Sequence, residues 1–470
     1  MASNRAVYFS TLVAALGGLL FGFDTAVISG TTESLQRVFG LDEFWLGFTV
    51  ASALIGTIIG AFAVGKPGDT YGRRRLLMVL AALYFISALG SALAQTWTGF
   101  LVYRFIGGLG VGGASVMAPM YIAEIAPKEQ RGRLVALNQL NIVAGILVAY
   151  LSNYAVASAI DAPWEWRMMF AVEAVPALIF FILLFFIPSS PRWLVKQNRE
   201  EEARSVLETI GIPNVAQELG YIVESLREQR HKPDAPLFKR ELAFPIFCAW
   251  AIAMFNQLSG INALMYYAPS IFQMAGAASD QALLQSVAIG GTNFAFTVLA
   301  LFIIDRFGRR PLLLIGSVGT ALCLAVVAAE FYAAQATGWL VLAGLLGFIA
   351  FFAMSQGAVI WVFISEIFPN RVRSKGQSLG SLTHWVMAAV VSWTFPVIAD
   401  ASGGHAFAFF SAMMILQFVF AWFVMPETKG KSLEELEAEL GLTDLSLADE
   451  APADAPEAEP SPSGASSVTE

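Results

Sequence analysis

Twelve long apolar runs, divided by short polar loops, leave this chain few ways to fold. They cover 7–30, 45–66, 76–95, 100–122, 132–156, 168–188, 242–275, 282–304, 311–333, 339–364, 374–399 and 405–425. A bilayer core roughly 30 Å thick takes a helix of about 20 apolar residues. Inside that core each backbone N–H must find its partner within its own segment, so the runs are helices. A transmembrane barrel would show alternating segments of about ten residues, and the sequence has none. Only 14% of residues are charged and the mean hydropathy is +0.64, against about 25% charged in soluble domains. The fold class is an all-α integral membrane protein.

The net charge of −8 hides a strong asymmetry. Lys and Arg gather in alternate loops: Lys66 with Arg73, Arg74 and Arg75; Lys128, Arg131 and Arg133; many between Arg192 and Arg240; Arg306, Arg309 and Arg310; Arg371, Arg373 and Lys375. The opposite loops hold only Arg37 and Arg167. The positive-inside rule makes the basic loops and both chain ends cytoplasmic, in a multi-pass protein of a cell (inner) membrane. Such charges are topology signals, so no nucleic-acid partner is expected. Cys248 and Cys323 both fall in apolar runs and read as small core residues. The first run is too long for a cleavable signal. The absence of an N-x-Ser/Thr sequon favours a bacterial membrane.

The chain is also duplicated. Gly68-Asp69-Thr70-Tyr71-Gly72-Arg73-Arg74 returns as Asp305-Arg306-Phe307-Gly308-Arg309-Arg310, and Ala123-Glu124-Ile125-Ala126-Pro127 as Ser365-Glu366-Ile367-Phe368-Pro369. Both copies lie about 240 residues on, in the matching loop of a second six-span unit. Two such units in the same orientation mark a rocking transporter with its site at their interface. Residues 1–188 form the first bundle, 189–241 a cytoplasmic linker helical at Glu200–Leu207 and Gln217–Arg230, and 242–431 the second bundle. Residues 432–470 form an acidic tail, whose Ala/Pro/Ser/Asp/Glu-rich end from 449 cannot bury enough apolar surface to fold.

From about Phe9 to Leu436 the chain resembles the sugar porters of the major facilitator superfamily. The likeness is carried by Gly22-Phe23-Asp24-Thr25-Ala26-Val27-Ile28-Ser29-Gly30, Pro119-Met120-Tyr121-Ile122-Ala123-Glu124, Gln257-Leu258-Ser259-Gly260-Ile261-Asn262 with Tyr266-Tyr267-Ala268-Pro269, and Pro426-Glu427-Thr428-Lys429-Gly430. It implies twelve helices in two bundles and alternating access for a monosaccharide. It further implies a lipid bilayer as surroundings, a monomer, and the proton gradient as driving force, with no cofactor and no metal.

Asp24 lies within the first run, about 17 residues from its start or roughly 25 Å of helix at 1.5 Å per residue. An ionisable residue in a span is costly and marks a functional site. Arg104, in the fourth run, reaches a similar depth and is its partner; Glu173, in the sixth, descends to a comparable level. A neighbouring guanidinium holds a carboxylate ionised while burial favours its neutral form, so gating can exchange a proton there. The plainer alternative is a static ion pair. The resemblance favours coupling, since proton-coupled members carry aspartate at the position of Asp24 and facilitative members usually asparagine.

A hexose offers hydroxyl groups and no charge, so it calls for neutral amides and aromatic faces. The seventh run supplies Asn256, Gln257, Asn262 and Tyr266. Gln257 and Asn262 are about 140° apart on a straight helix, so a break at Gly260 is expected. By resemblance Phe21, Gln139, Asn293 and Trp361 also face the sugar. His384 and Trp385 join them, although relatives often have Asn or Gln at the position of His384 and proline at that of Ala358. A lone amide would more often glue helices together. Fructose, glucose, galactose and xylose all remain open as substrates.

The repeated loop charges form the third set: Asp69, Arg73, Arg74, Glu124 and Arg131, then Asp305, Arg309, Arg310, Glu366 and Arg373. In the family these are a cytoplasmic gate of ion pairs that latches the halves in the outward-facing state. No metal-ligand cluster or nucleophile–base set points to an enzyme. A uniporter with a structural Asp24 and a non-transporting sugar sensor are the two alternatives to a symporter.

Overall fold

The computed structural model describes residues 2–127, 130–231, 236–333, 337–369, 371–431, 435, 436, 439 and 440, leaving out the side chains of 2–4, 228–231 and 305. The acidic end of the chain from 441 and the Asp305 side chain lie outside the described residues. Among the described residues nineteen α-helices follow one another along the chain. The first half holds α1 (Ala2–Val27), α2 (Thr32–Phe39), α3 (Glu43–Ala63), α4 (Gly65–Tyr71), α5 (Arg73–Leu93), α6 (Trp97–Ile125), α7 (Arg131–Ala159) and α8 (Glu165–Leu183). Then come α9 (Pro191–Lys196), α10 (Glu200–Ile210) and α11 (Val215–His231). The second half holds α12 (Ala243–Leu258), α13 (Ile261–Met274), α14 (Ser279–Phe307), α15 (Arg309–Tyr332), α16 (Gly338–Met354), α17 (Gln356–Glu366), α18 (Arg373–Ala401) and α19 (Gly403–Phe423).

Among the described residues twelve segments are long and apolar enough to cross a membrane. Ten are built on a single long helix; α12 with α13, and α16 with α17, make the other two. Large side chains such as Leu93 and Phe302 point outward and are about 70% exposed, as a lipid-facing surface requires. Inside each half the helices approach through small residues. A Cβ added at Gly108 of α6 would fall 1.9 Å from the Ala53 carbonyl of α3, so these backbones touch.

The break between α12 and α13 falls where expected. Gly260 takes φ +85°, a left-handed conformation that side chains resist, and restarts the helix at a new angle. A Cβ there would meet the Phe410 ring at 2.4 Å. Gly260→Ala is therefore expected to destabilise the protein by about 1–3 kcal/mol, read as a lowered unfolding midpoint in detergent. A second break, at Ser355 between α16 and α17, divides what the sequence presents as one span. Ser355 has φ −118° and ψ −87°, and the run around it reads as continuous helix apart from Ser355-Gln356-Gly357.

The apolar core shows how the halves meet. One cluster runs through both, joining Phe23, Phe100 and Trp166 to Tyr267, Phe395 and Phe410. Two others are separate: one in the first half, which also takes Trp193, Leu207 and Ile210 of the linker, and one in the second. The bundles are thus fused at one end of the membrane and parted at the other. Across the fused end Thr32 meets Ser270 at 3.1 Å, and the Tyr150 hydroxyl donates to the Met265 carbonyl at 2.7 Å.

Candidate proton and sugar sites

Asp24 and Arg104 meet deep in the first half. The Arg104 Nη1 donates to Asp24 Oδ1 at 2.6 Å, and both residues are at most 3% exposed. Gly107, one turn along α6 from Arg104, lets the Asp24 carboxylate come close to that helix: a Cβ there would lie 3.6 Å from it. The Phe170 ring stands 5.5 Å from the guanidinium and seals it from that side. Glu173, one turn further along α8 and 1% exposed, lies within electrostatic reach of both. Its Oε1 and the Arg104 Nε are buried without hydrogen-bond partners among the described residues. The site therefore holds two buried carboxylates and one buried guanidinium, an arrangement in which one proton can be held or released.

The amide cluster sits in the second half, at the break after α12. Gln257 is its centre. Its Nε2 donates to Asn256 Oδ1 at 3.1 Å and to the His384 ring, with Nδ1 at 3.2 Å. Its Oε1 accepts from Asn262 Nδ2 at 2.8 Å. The turn at Gly260 is what allows this last bond between residues five apart. Trp361 and Trp385 flank the His384 ring at 4.9 Å and 5.0 Å between centroids. Phe21 of α1 reaches across from the first half to Trp385 at 5.6 Å.

Tyr266, on α13, is buried beside Thr25 and within electrostatic reach of Asp24 and Arg104. The helix that carries it, α13, packs against α1, which carries Asp24. Gln139 is half-buried and Asn293 buried, and among the described residues neither hydrogen-bonds to the amide cluster. Gln356 belongs to the cluster although sequence reasoning does not single it out. It is buried at the start of α17; its backbone carbonyl accepts from Asn256 Nδ2 at 3.5 Å, while its side-chain Nε2 donates to Met414 Sδ at 3.0 Å. The only signal is a polar pair, Ser355-Gln356, in an apolar run.

The loop charges pair within each half. Arg73 binds Glu124 at 3.0 Å and Asp69 at 3.0 Å; Arg309 binds Glu366 at 2.8 Å. Arg74 donates to the carbonyls of Leu184 and Phe185, and Arg310 to those of Ala421 and Trp422. Arg131 is exposed and makes no ion pair among the described residues, and two guanidinium nitrogens of Arg373 are buried without hydrogen bonds to those residues. Asp69 also ties down the linker, through Lys196 at 2.8 Å and the indole of Trp193 on its carbonyl. Partial burial would raise the Asp69 carboxyl, but Lys196 and Arg73 outweigh that and hold it below its ordinary value. What it adds to stability is present above the ordinary carboxylate value and fades as pH falls through the depressed one.

Residues 10–440 match the family model described as sugar (and other) transporter. The chain belongs to this sugar transporter family. Within it, the chain is 42% identical to the D-xylose-proton symporter of Escherichia coli (strain K12), over 93% of its own length and 96% of the relative's. It is 38% identical to the arabinose-proton symporter of Bacillus subtilis (strain 168), over 92% and 94%. Its fold is similar to the inward open conformation of the xylose transporter XylE from E. coli, with a TM-score of 0.83 at 42% identity, covering 92% of this chain and 99% of that one. The fold is thus that of the major facilitator superfamily, with twelve membrane-spanning segments in two bundles. Relatives in the family are transporters.

Proposed function

We propose that this chain is a proton-coupled monosaccharide symporter of a bacterial inner membrane that works by alternating access. The observation that carries the reading is the buried Asp24–Arg104 pair at 2.6 Å, beside which α13, the helix bearing Asn262 and Tyr266, packs against α1. Asp24 is the proton carrier, Arg104 its counter-charge, and Glu173 the second carboxylate that shares the proton.

Gln257, Asn256, Asn262 and His384 bind sugar hydroxyls, with Trp361, Trp385, Phe21 and Tyr266 as apolar faces. Gln139 and Asn293 complete the site from the facing bundle and from α14. The basic loops lie in the cytoplasm together with both chain ends, so the fused end of the bundles faces outward. The structure then corresponds to the inward-facing state. Asp69, Arg73, Arg74, Glu124 and Arg131, with Asp305, Arg309, Arg310, Glu366 and Arg373, form the cytoplasmic gate, and the protein acts as a monomer in the bilayer.

The cycle follows from these placements. Protonation weakens the hold of Arg104 on Asp24, and sugar on the amide cluster draws α13 against α1. Binding must stabilise the occluded state more than the open one, or no transition follows. Release of sugar to the cytoplasm lets Asp24 lose its proton and return to Arg104.

The reading is tested in proteoliposomes with xylose, arabinose, glucose, galactose and fructose added in turn. A symporter alkalinises the medium when its own sugar is supplied and stops accumulating it when the gradient is collapsed. Saturable uptake with no proton movement would instead make the protein a uniporter in which Asp24 is structural. Binding without counterflow would make it a sensor.

A further inference from the structure

Glu427 caps the amino end of α15 in the second half, and no described side chain does the same for the duplicated helix α5 in the first. Its carboxylate lies over the amino end of α15 and accepts from the N–H groups of Arg309 and Arg310 at 3.1 Å and 3.0 Å. Those groups have no partner inside the helix, and the helix end carries partial positive charge. The duplicated helix α5 begins in the same way. Gly72 at φ +92° precedes Arg73 and Arg74 as Gly308 at φ +90° precedes Arg309 and Arg310. The side-chain bonds of the two arginine pairs match as well, first to the glutamates Glu124 and Glu366, then to backbone carbonyls in the last turns of the sixth and twelfth spans.

The match fails at one position. Pro188-Ser189-Ser190 follows the sixth span where Pro426-Glu427-Thr428 follows the twelfth, so Ser189 stands in the place of Glu427. Gly72 gives α5 no side-chain cap, and no described side chain accepts from the N–H groups of Arg73 and Arg74. A cavity of about 410 Å³ opens there, lined among others by Arg73, Arg74, Arg75, Ser189, Arg199 and Glu202.

The charges in it do not balance. Arg73 is paired with Glu124 and Asp69, and Arg199 with Glu202 at 2.5 Å. Among the described residues the Arg74 guanidinium meets backbone carbonyls only, and exposed Arg75 makes no ion pair. Two guanidinium groups with no carboxylate partner among the described residues therefore line the same cavity as an uncapped helix end. Trp193 forms one wall, its ring 3.0 Å from where a Gly72 Cβ would be, and half-exposed Phe185 another.

We propose that this cavity binds a phosphate group, whose oxygens take the position that the Glu427 carboxylate holds in the other half. Guanidinium groups and helix amino ends are the two protein features that suit such an anion best. The phosphate can belong to an anionic phospholipid headgroup, for which exposed Phe185 offers an apolar flank, or to a free anion.

The test uses the full chain in a phosphate-free maltoside detergent, with thermal unfolding followed by tryptophan fluorescence. Inorganic phosphate is titrated against chloride at equal ionic strength, and phosphatidylglycerol against phosphatidylcholine in separate samples. A saturating ligand is expected to raise the midpoint by about 2–4 °C. A response to inorganic phosphate assigns a free anion; a response to phosphatidylglycerol alone assigns the headgroup. Ser189→Glu supplies the missing carboxylate and is expected to raise the midpoint unaided and to lose most of the response. Ser189→Gln, similar in size and neutral, keeps it. Arg75→Gln, at an exposed position, weakens the response at least about threefold by removing one charged contact. The proposal is overturned if neither probe moves the native chain, or if Ser189→Glu and Arg75→Gln both respond as the native chain does.

Discussion

Asp24→Asn is expected to reduce sugar-driven proton uptake to the leak rate while sugar counterflow continues. The amide keeps the size of the carboxylate and can still accept from Arg104 at the same 2.6 Å position. It cannot take or lose a proton, so the carrier still rocks but moves no charge with the sugar. Removing one member of a buried pair ordinarily costs about 3–5 kcal/mol, because the partner is left as an uncompensated charge. Here Glu173 lies within reach of Arg104 and can supply part of the missing charge, so the variant should fold with a lowered midpoint. Parallel assays of proton uptake and of labelled-sugar counterflow, on the same proteoliposomes, check both halves of this expectation. Proton uptake that survives the substitution would move the coupling role away from Asp24.

Gln257→Ala is expected to raise the KM for sugar counterflow about 10–100-fold with a smaller effect on the maximum rate, since stranding buried polar groups costs about 1–3 kcal/mol. Three partners lose their bond at once. Asn262 loses an acceptor, and Asn256 and the His384 ring each lose a donor. All three would then turn to new neighbours, and the hydroxyl-binding geometry would go with them. Because the ionic site is in the other half, each sugar molecule that still crosses should carry its proton. The sugar concentration dependence of counterflow, with the proton-to-sugar ratio measured beside it, reads both effects. An unchanged KM would reduce the cluster to interhelical glue.

Several of these features are legible in the residues alone. Length and hydropathy are averaged over some twenty residues, so the twelve spans survive local noise. Asp24 and Arg104 stand out because charge in hydrocarbon is costly enough to be rare. The angle between Gln257 and Asn262, with a glycine between them, requires a break, and Gly260 supplies it. Other features carry no residue-specific signal. Arg74 and Arg310 bind backbone carbonyls, which every residue type offers, whereas the spacing of charges points only to carboxylate partners. Ser355 and Gln356 look like any polar pair, although a helix restarts there. The short helix α9 escapes the sequence pattern because it is six residues long, below the reach of periodicity. Its Lys196 and Trp193 fasten to Asp69, a contact set by tertiary approach and not by spacing.

Three interruptions of helical backbone, at Gly260, Tyr267 and Ser355, belong to spans of the second bundle; the described spans of the first show no such break within them. The duplicated units have therefore diverged in helix continuity as well as in sequence. One is a frame of unbroken helices around Asp24 and Arg104, the other a jointed body around Gln257. On the proposed reading, substitutions in the jointed body would change which sugar is accepted and leave the Asp24–Arg104 pair in place. A chain organised in this way can acquire new diets without rebuilding its engine.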